Sequence, residues 1–264
     1  MEIVNSVILG VVQGLTEFIP VSSSGHLILA REILGMNVEY SLAFDAVLQL
    51  ATTFAVLVYF RKDIFNLAKN FFKFISGKFV EAKELILLKA VIIGTIPAVV
   101  IGFLLEDKMD TIFRSSFLVA MTLIVGGLIM FFAERFAKQN LDLNVKRGIG
   151  VGFFQALALI PGFSRSGMTI SGGLFLGLKR EVATRFSFIL AFPVLLGAGL
   201  KKLLDLGSTG LLDSVGVELL LGSLASFVVG LLAIHFLVTF LKKHTMNAFV
   251  VYRFVLAIVV LLFV

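Results

Sequence analysis

The chain has 264 residues, is 59% hydrophobic and only 15% charged, and contains four prolines and no cysteine. Its mean hydropathy of +1.05 exceeds what a soluble domain of this length tolerates, so it reads as an all-α, polytopic membrane protein. Disulfides, thiolate catalysis and Cys-ligated metals are excluded, and the net charge of +6 lies in short basic clusters between apolar stretches, which fits a lipid membrane and not nucleic acid as partner.

Met1-Glu2 carries no basic stretch ahead of the apolar run from Ile3, and no small-residue cleavage pattern follows, so no cleavable signal is expected. Residues 3 to 16 are too short to span a bilayer, which takes about 20 residues. Pro20 and Ser22-Ser23-Ser24-Gly25 then break the run before a second short apolar helix at 24 to 34. This pattern predicts a helix-break-helix hairpin that re-enters the membrane. Non-helical backbone at such depth survives only where protein or a watery cavity covers it, so the break is expected to line a site. Glu17 and His26 lie beside it, and a charged group there costs roughly 2 to 3 kcal/mol even on the lenient insertion scale.

A first full span follows at 41 to 60, carrying Asp45 and Gln49. The segment 61 to 84 holds six Lys or Arg residues among Phe65, Phe71, Phe72 and Phe79, the pattern of an amphipathic interfacial helix on the cytoplasmic side. Spans at 85 to 105 and 117 to 133 are separated by an acidic turn, Glu106 to Asp110, and followed by a basic loop with Arg135, Lys138, Lys146 and Arg147. Then the pattern restarts. Residues 152 to 167 echo residues 10 to 25 at a constant offset of 142, pairing Gly10 with Gly152, Gln13 with Gln155, Ser22 with Ser164 and Ser24 with Ser166. Spans near 182 to 204, 217 to 240 and 247 to 264 complete the chain.

One integral-membrane domain over 1 to 264 is therefore expected, made of two repeats at about 1 to 135 and 145 to 264. Each holds one re-entrant hairpin and three spans, and because three is odd the second repeat is inverted. With the 61 to 84 loop cytoplasmic, the loops on that side hold 15 Lys or Arg against five on the other. The first hairpin then enters from the extracytoplasmic face, and the two broken tips can meet near the midplane. At the tips the repeats diverge: Glu17 matches Leu159, Ser23 matches Arg165 and His26 matches Met168.

Gln13 and Glu17, four apart on one helix face, are candidate ligands for a hydrated divalent cation. Ser22, Ser24 and Gly25 on one break, with Ser164, Ser166 and Gly167 on the other, open helices whose free N–H groups favour an anion. Arg165 offers a fork matched to phosphate oxygens, and His26 a nucleophile or a general acid and base. These are the parts that phosphoryl transfer requires. Each has a plainer role: the serines as helix caps, His26 as a satisfied hydrogen bonder, and Glu17 with Arg165 as a structural ion pair. Asp45, Lys89, Arg185, His235 and Arg253 read as snorkelling or packing contacts.

The run Gln-Gly-Leu-Thr-Glu-Phe-Ile-Pro-Val-Ser-Ser-Ser-Gly-His-Leu from Gln13 and the run Pro-Gly-Phe-Ser-Arg-Ser-Gly from Pro161 resemble the two signature motifs of the undecaprenyl-diphosphate phosphatase family, the integral-membrane bacitracin-resistance type. The Phe-Asp-Ala-Val-Leu-Gln-Leu and Arg-Phe-Ser-Phe runs fit as well, so the resemblance covers essentially the whole chain. It implies release of inorganic phosphate from undecaprenyl diphosphate in the bacterial inner membrane, recycling the carrier lipid for peptidoglycan synthesis, with Mg2+ or Ca2+ as cofactor. It places Glu17, Ser23, His26 and Arg165 on essential positions, leaving open whether Ser23 or His26 attacks, and whether the chain forms a homodimer. The family's first motif often begins with Glu where this chain has Gln13. The rival reading is an inverted-repeat transporter or flippase for an anionic or prenyl-phosphate lipid.

Overall fold

The computed structural model describes residues 3–36, 41–109, 115–208 and 211–263. Among these the chain builds helices, with no sheet beyond one isolated bridge between Leu141 and Leu178. Helix α1 (Ile3–Phe18) is followed by a turn at 19–22 and α2 (Ser23–Ile33). Pro20 cannot continue a helix, and Ser22 sits at φ 77°, a region a residue with a Cβ rarely occupies. The same unit recurs as α7 (Val145–Leu157), a turn, and α8 (Arg165–Phe175), with Ser164 at φ 69°. In both, the serine hydroxyl accepts the amide of the glycine three residues on, Gly25 or Gly167, at 3.3 Å. That cap orients the first turn of α2 and of α8 and offsets part of the backbone strain.

Helix α3 (Ser41–Tyr59) turns by 86° into α4 (Arg61–Ile75). Helix α4 exposes Phe65, Phe71, Phe72 and Phe74 beside Lys62, Lys69 and Lys73 while burying Ile64 and Asn70. The interfacial helix expected over 61 to 84 is therefore shorter, because Gly77 at φ 67° closes it and α5 (Ala82–Met109) begins soon after. The expected acidic turn is helical where it is described: Glu106 to Met109 carry no Gly or Pro and continue α5, and Asp110 lies outside the described residues. Helices α6 (Ser116–Phe136), α9 (Arg180–Ser208), α10 (Leu211–Leu241) and α11 (Asn247–Phe263) complete the fold.

By length and composition four helices can cross a membrane, over Ala82–Leu105, Ser116–Phe136, Arg180–Leu204 and Gly216–Leu241, and the bent α3–α4 pair can supply a fifth. The expected last span corresponds to α11, apolar but only 17 residues long. This is a multi-pass integral membrane protein.

The breaks are brought together by interleaving. Helix α1 packs along α10 from the other half of the chain, and α7 packs along α5. Both contacts rely on glycine: a Cβ on Gly10 would lie 2.1 Å from the carbonyl oxygen of Gly222, and one on Gly152 would lie 2.1 Å from that of Gly94. In lipid, where apolar burial does not drive helices together, such close backbone approach supplies the packing. Beneath the breaks lies the largest core cluster, with Phe18, Val56, Met130, Met168, Phe188 and Leu237. Met168, at the position matching His26, is fully buried there.

Most of the polar residues read as packing contacts behave so. Arg31 pairs with Asp45, Arg185 with Asp63, Lys89 stands 5.9 Å over the Phe74 ring and His235 meets the Tyr59 hydroxyl at 3.3 Å. Arg253 goes further than packing, as described below.

Candidate active site

Glu17 lies one residue before the end of α1, with its side chain 2% exposed. Its carboxylate collects donors from four places. Ser23, at the start of α2, donates its hydroxyl to Oε2 at 2.7 Å. Arg165, at the start of α8, donates Nη2 to Oε1 at 2.7 Å. Gln13, one turn back on α1, donates Nε2 to Oε2 at 2.9 Å. Gln49 on α3 reaches both oxygens from 3.4 Å. Ser23 and Arg165 are matching positions of the two echoing segments, so one carboxylate holds the same site from both halves of the chain.

The capping serines stand around this centre. The Ser22 and Ser24 hydroxyls are 3.3 Å apart, and so are those of Ser164 and Ser166. Ser24 is exposed, Ser23 half-buried, and Ser22, Ser164, Ser166, Gly25 and Gly167 are buried. Glu17 and Arg165 form the polar end of a cleft with Ser166 and Ser187, and Ser187 is hydrogen-bonded to Thr169. Its wall is apolar, made by Phe18, Phe188, Ala191 and Leu195.

His26 is placed apart from this set. Its Nδ1 meets the Ser22 carbonyl oxygen at 2.7 Å and its Nε2 meets the Tyr252 hydroxyl at 2.8 Å, with the two rings stacked. The carbonyl can only accept, so Nδ1 carries the proton and Nε2 accepts from Tyr252. His26 nevertheless lies three residues after Ser23 on α2, which places both on one helix face.

Sequence reasoning missed Gln49, Ser187 and Tyr252 as neighbours of the site. Gln49 and Ser187 lie in the Phe-Asp-Ala-Val-Leu-Gln-Leu and Arg-Phe-Ser-Phe runs, so those runs held the available signal. Among the described residues the second half shows no counterpart to the Glu17 centre, Leu159 standing at the matching position. Gln155, matching Gln13, is buried, and neither of its amide atoms has a hydrogen-bond partner among the described residues.

Whether a divalent cation fits depends on these donors. No three His, Asp or Glu side chains gather in a metal-binding group among the described residues. Among the described residues Glu17 is the single carboxylate at this centre, and the Gln13 and Gln49 amides turn their NH2 groups toward it. A half-turn of either amide presents its oxygen instead. Magnesium is commonly held by one or two carboxylates with substrate phosphates completing the shell, and this donor set fits that pattern.

The family model described as "Bacitracin resistance protein BacA" matches residues 6–259. The chain belongs to this family. It is similar to undecaprenyl-diphosphatases from Thermobifida fusca (42% identical, covering 99% of this chain and 90% of that protein) and Elusimicrobium minutum (42%, 99% and 98%). A third such protein, from Rubrobacter xylanophilus, is 40% identical over 98% of this chain and 97% of its own length. BacA membership covers both breaks, the carboxylate between them and the cleft along α9.

Proposed function

We propose that this chain is an undecaprenyl-diphosphate phosphatase, which releases inorganic phosphate from the lipid diphosphate and leaves the monophosphate carrier in the bilayer. The observation that carries this reading is one buried carboxylate holding a serine hydroxyl and an arginine, each at 2.7 Å, at the polar end of a cleft with an apolar wall. Relatives named for this reaction, matched over nine-tenths or more of their own length, support it.

The positions of Glu17, Ser23 and Arg165 support the following course for the reaction. The diphosphate enters between the starts of α2 and α8, where unpaired N–H groups favour an anion. Arg165 turns its remaining donors to the phosphate oxygens, and Glu17, relieved of part of that pairing, takes the Ser23 proton. Ser23 Oγ forms a bond to the terminal phosphorus as the bond from that phosphorus to the bridging oxygen breaks, so undecaprenyl phosphate leaves. Water then attacks the phosphorus of the phosphoserine as its bond to Ser23 Oγ breaks, Glu17 returning the proton to Ser23 Oγ as phosphate is released. His26 Nε2, bonded to Tyr252 in this structure, joins the proton transfers only on leaving that partner. Ser22, Ser24 and Gly25, with Ser164, Ser166 and Gly167, shape the phosphate cradle. Glu17 with the amide oxygens of Gln13 and Gln49 would hold Mg2+ or Ca2+, which would neutralise diphosphate charge. From Phe188 to Leu195 the wall along α9 runs for about 10 Å at the usual helical rise, enough for the first isoprene units.

The two echoing segments belong to inverted repeats, about 1 to 135 and 145 to 264, whose re-entrant tips meet near the midplane of the bacterial inner membrane. The substrate is met from the extracytoplasmic side. Support comes from the matched serine caps, the interleaved packing of α1 and α7, and the distribution of Lys and Arg. The deciding experiment is phosphate release from a short prenyl diphosphate by purified protein in detergent, with and without EDTA. No release under either condition would overturn the reading.

A further inference from the structure

Arg253, in the middle of α11, is 0% exposed and has no hydrogen bond to Glu17, Ser23, His26 or Arg165 among the described residues. Its guanidinium has five N–H donors, and all five are used on backbone carbonyls. Nη1 donates to Pro20 at 3.3 Å and to Phe163 at 3.1 Å, and Nη2 to Gly162 at 2.7 Å. Nη2 also donates to Thr122 at 3.3 Å and Nε to Leu123 at 3.2 Å, both on α6. One rigid planar group thus grips both broken turns and anchors them to a third helix.

The gripped positions are close to the chemistry. Pro20 lies midway between Glu17 and Ser23, and Phe163 two residues before Arg165. Carbonyls left free by a broken helix in lipid need donors, and here a single residue satisfies one from the first turn and two from the second. We propose that Arg253 is a positioning residue: its fan of hydrogen bonds fixes the separation of the two broken turns, and so holds Ser23 and Arg165 on the same Glu17 carboxylate. A lysine has the charge but presents its donors from one point on a flexible stem, and it cannot span both turns. The inference rests on the phosphatase reading of the site, but the separation of the turns can be measured without catalysis.

The test uses two variants and two readouts. Arg253→Lys removes the fan. Gly126→Ala disturbs it with Arg253 left in place, because a Cβ at Gly126 would lie 2.3 Å from Nη2. Misplacement of reacting groups by about 1 Å costs about 100-fold in rate, so each variant is expected to lower kcat by about 30- to 100-fold with KM within about threefold. For the second readout, spin-labelled cysteines replace Leu15 and Phe153, exposed on α1 and α7, in a chain without other cysteines. The distance distribution between them is expected to broaden in both variants. If Arg253→Lys does not fold, Gly126→Ala carries the test alone. Wild-type kcat in Gly126→Ala, or a fall in kcat with an unchanged distance distribution, would overturn the proposal. A wild-type protein that releases no phosphate would instead refute the phosphatase reading, and the spin-label distances would still decide the role of Arg253.

Discussion

Glu17 and Arg165, 148 residues apart in the chain, meet at 2.7 Å with their side chains 2% and 17% exposed, respectively. A structural bridge and a catalytic pair make different forecasts for such a contact. Removing one partner of a buried pair costs about 3–5 kcal/mol because the other charge is stranded, whereas replacing both with neutral groups restores much of the stability. Glu17→Gln and Arg165→Gln are each expected to lower phosphate release by at least about 100-fold and to lower the melting temperature. The double variant is expected to regain thermal stability in detergent without regaining activity. Recovery of turnover along with stability would reduce the pair to a structural bridge.

Gln13 donates to Glu17 at 2.9 Å, so Gln13→Glu replaces a donor with a second acceptor beside the same carboxylate. Two like charges at that distance repel unless a cation lies between them. The variant is expected to be active with Mg2+, to reach half-maximal activity at a lower Mg2+ concentration than wild type, and to lose proportionally more activity in EDTA. A Mg2+ titration of phosphate release checks this. An unchanged activation curve would remove Gln13 from the cation site.

The contact between α1 and α10 makes a stability forecast. A methyl group on Gly10 would sit 2.1 Å from the Gly222 carbonyl oxygen, and relief requires the helices to part. Gly10→Ala and Gly152→Ala are each expected to destabilise the protein by about 1–3 kcal/mol, the usual range for overpacking. Gly216→Ala, whose added Cβ would meet nothing within 4 Å, serves as the control. Thermal unfolding in one detergent separates the three, and equal melting temperatures would refute the close-packing account.

What could be read in advance was what stands out against lipid. Glu17, Ser23 and Arg165 were legible because polar groups beside a Pro- or Gly-broken apolar run have no cheap place in a bilayer. Their meeting followed from the echo between the two halves. His26 was grouped with them for the same reason, yet its ring nitrogens bind the Ser22 carbonyl and Tyr252, a choice of rotamer that no spacing reveals. Arg253 was read as a packing contact because an arginine in a span has many uses, and only the turning of three loop carbonyls toward it shows which one applies. The docking of α1 on α10 was equally hidden: α10 is apolar all round, so no stripe marks its contact face. Helix ends moved where glycine or its absence decided them, earlier at Gly77 and later through Glu106 to Met109.

The side from which the site is reached gives the last prediction. The first break precedes α3, which bends at Phe60 into the Lys-rich α4, and a basic amphipathic segment marks the cytoplasmic face. On the proposed topology a hairpin one span earlier enters from the opposite face, and its tip is expected to open extracytoplasmically. Ser24 is the exposed member of the three serines at that tip, and the chain has no cysteine to compete with a label. Ser24→Cys is expected to react with a membrane-impermeant maleimide in intact cells or right-side-out vesicles, and added prenyl diphosphate is expected to slow the labelling. A cysteine at Phe79, exposed in the basic segment after α4, is expected to react only after permeabilisation. The reverse pattern would place the phosphatase site on the cytoplasmic face, while labelling of Ser24→Cys from either side would favour an alternating-access transporter built on the same broken helices.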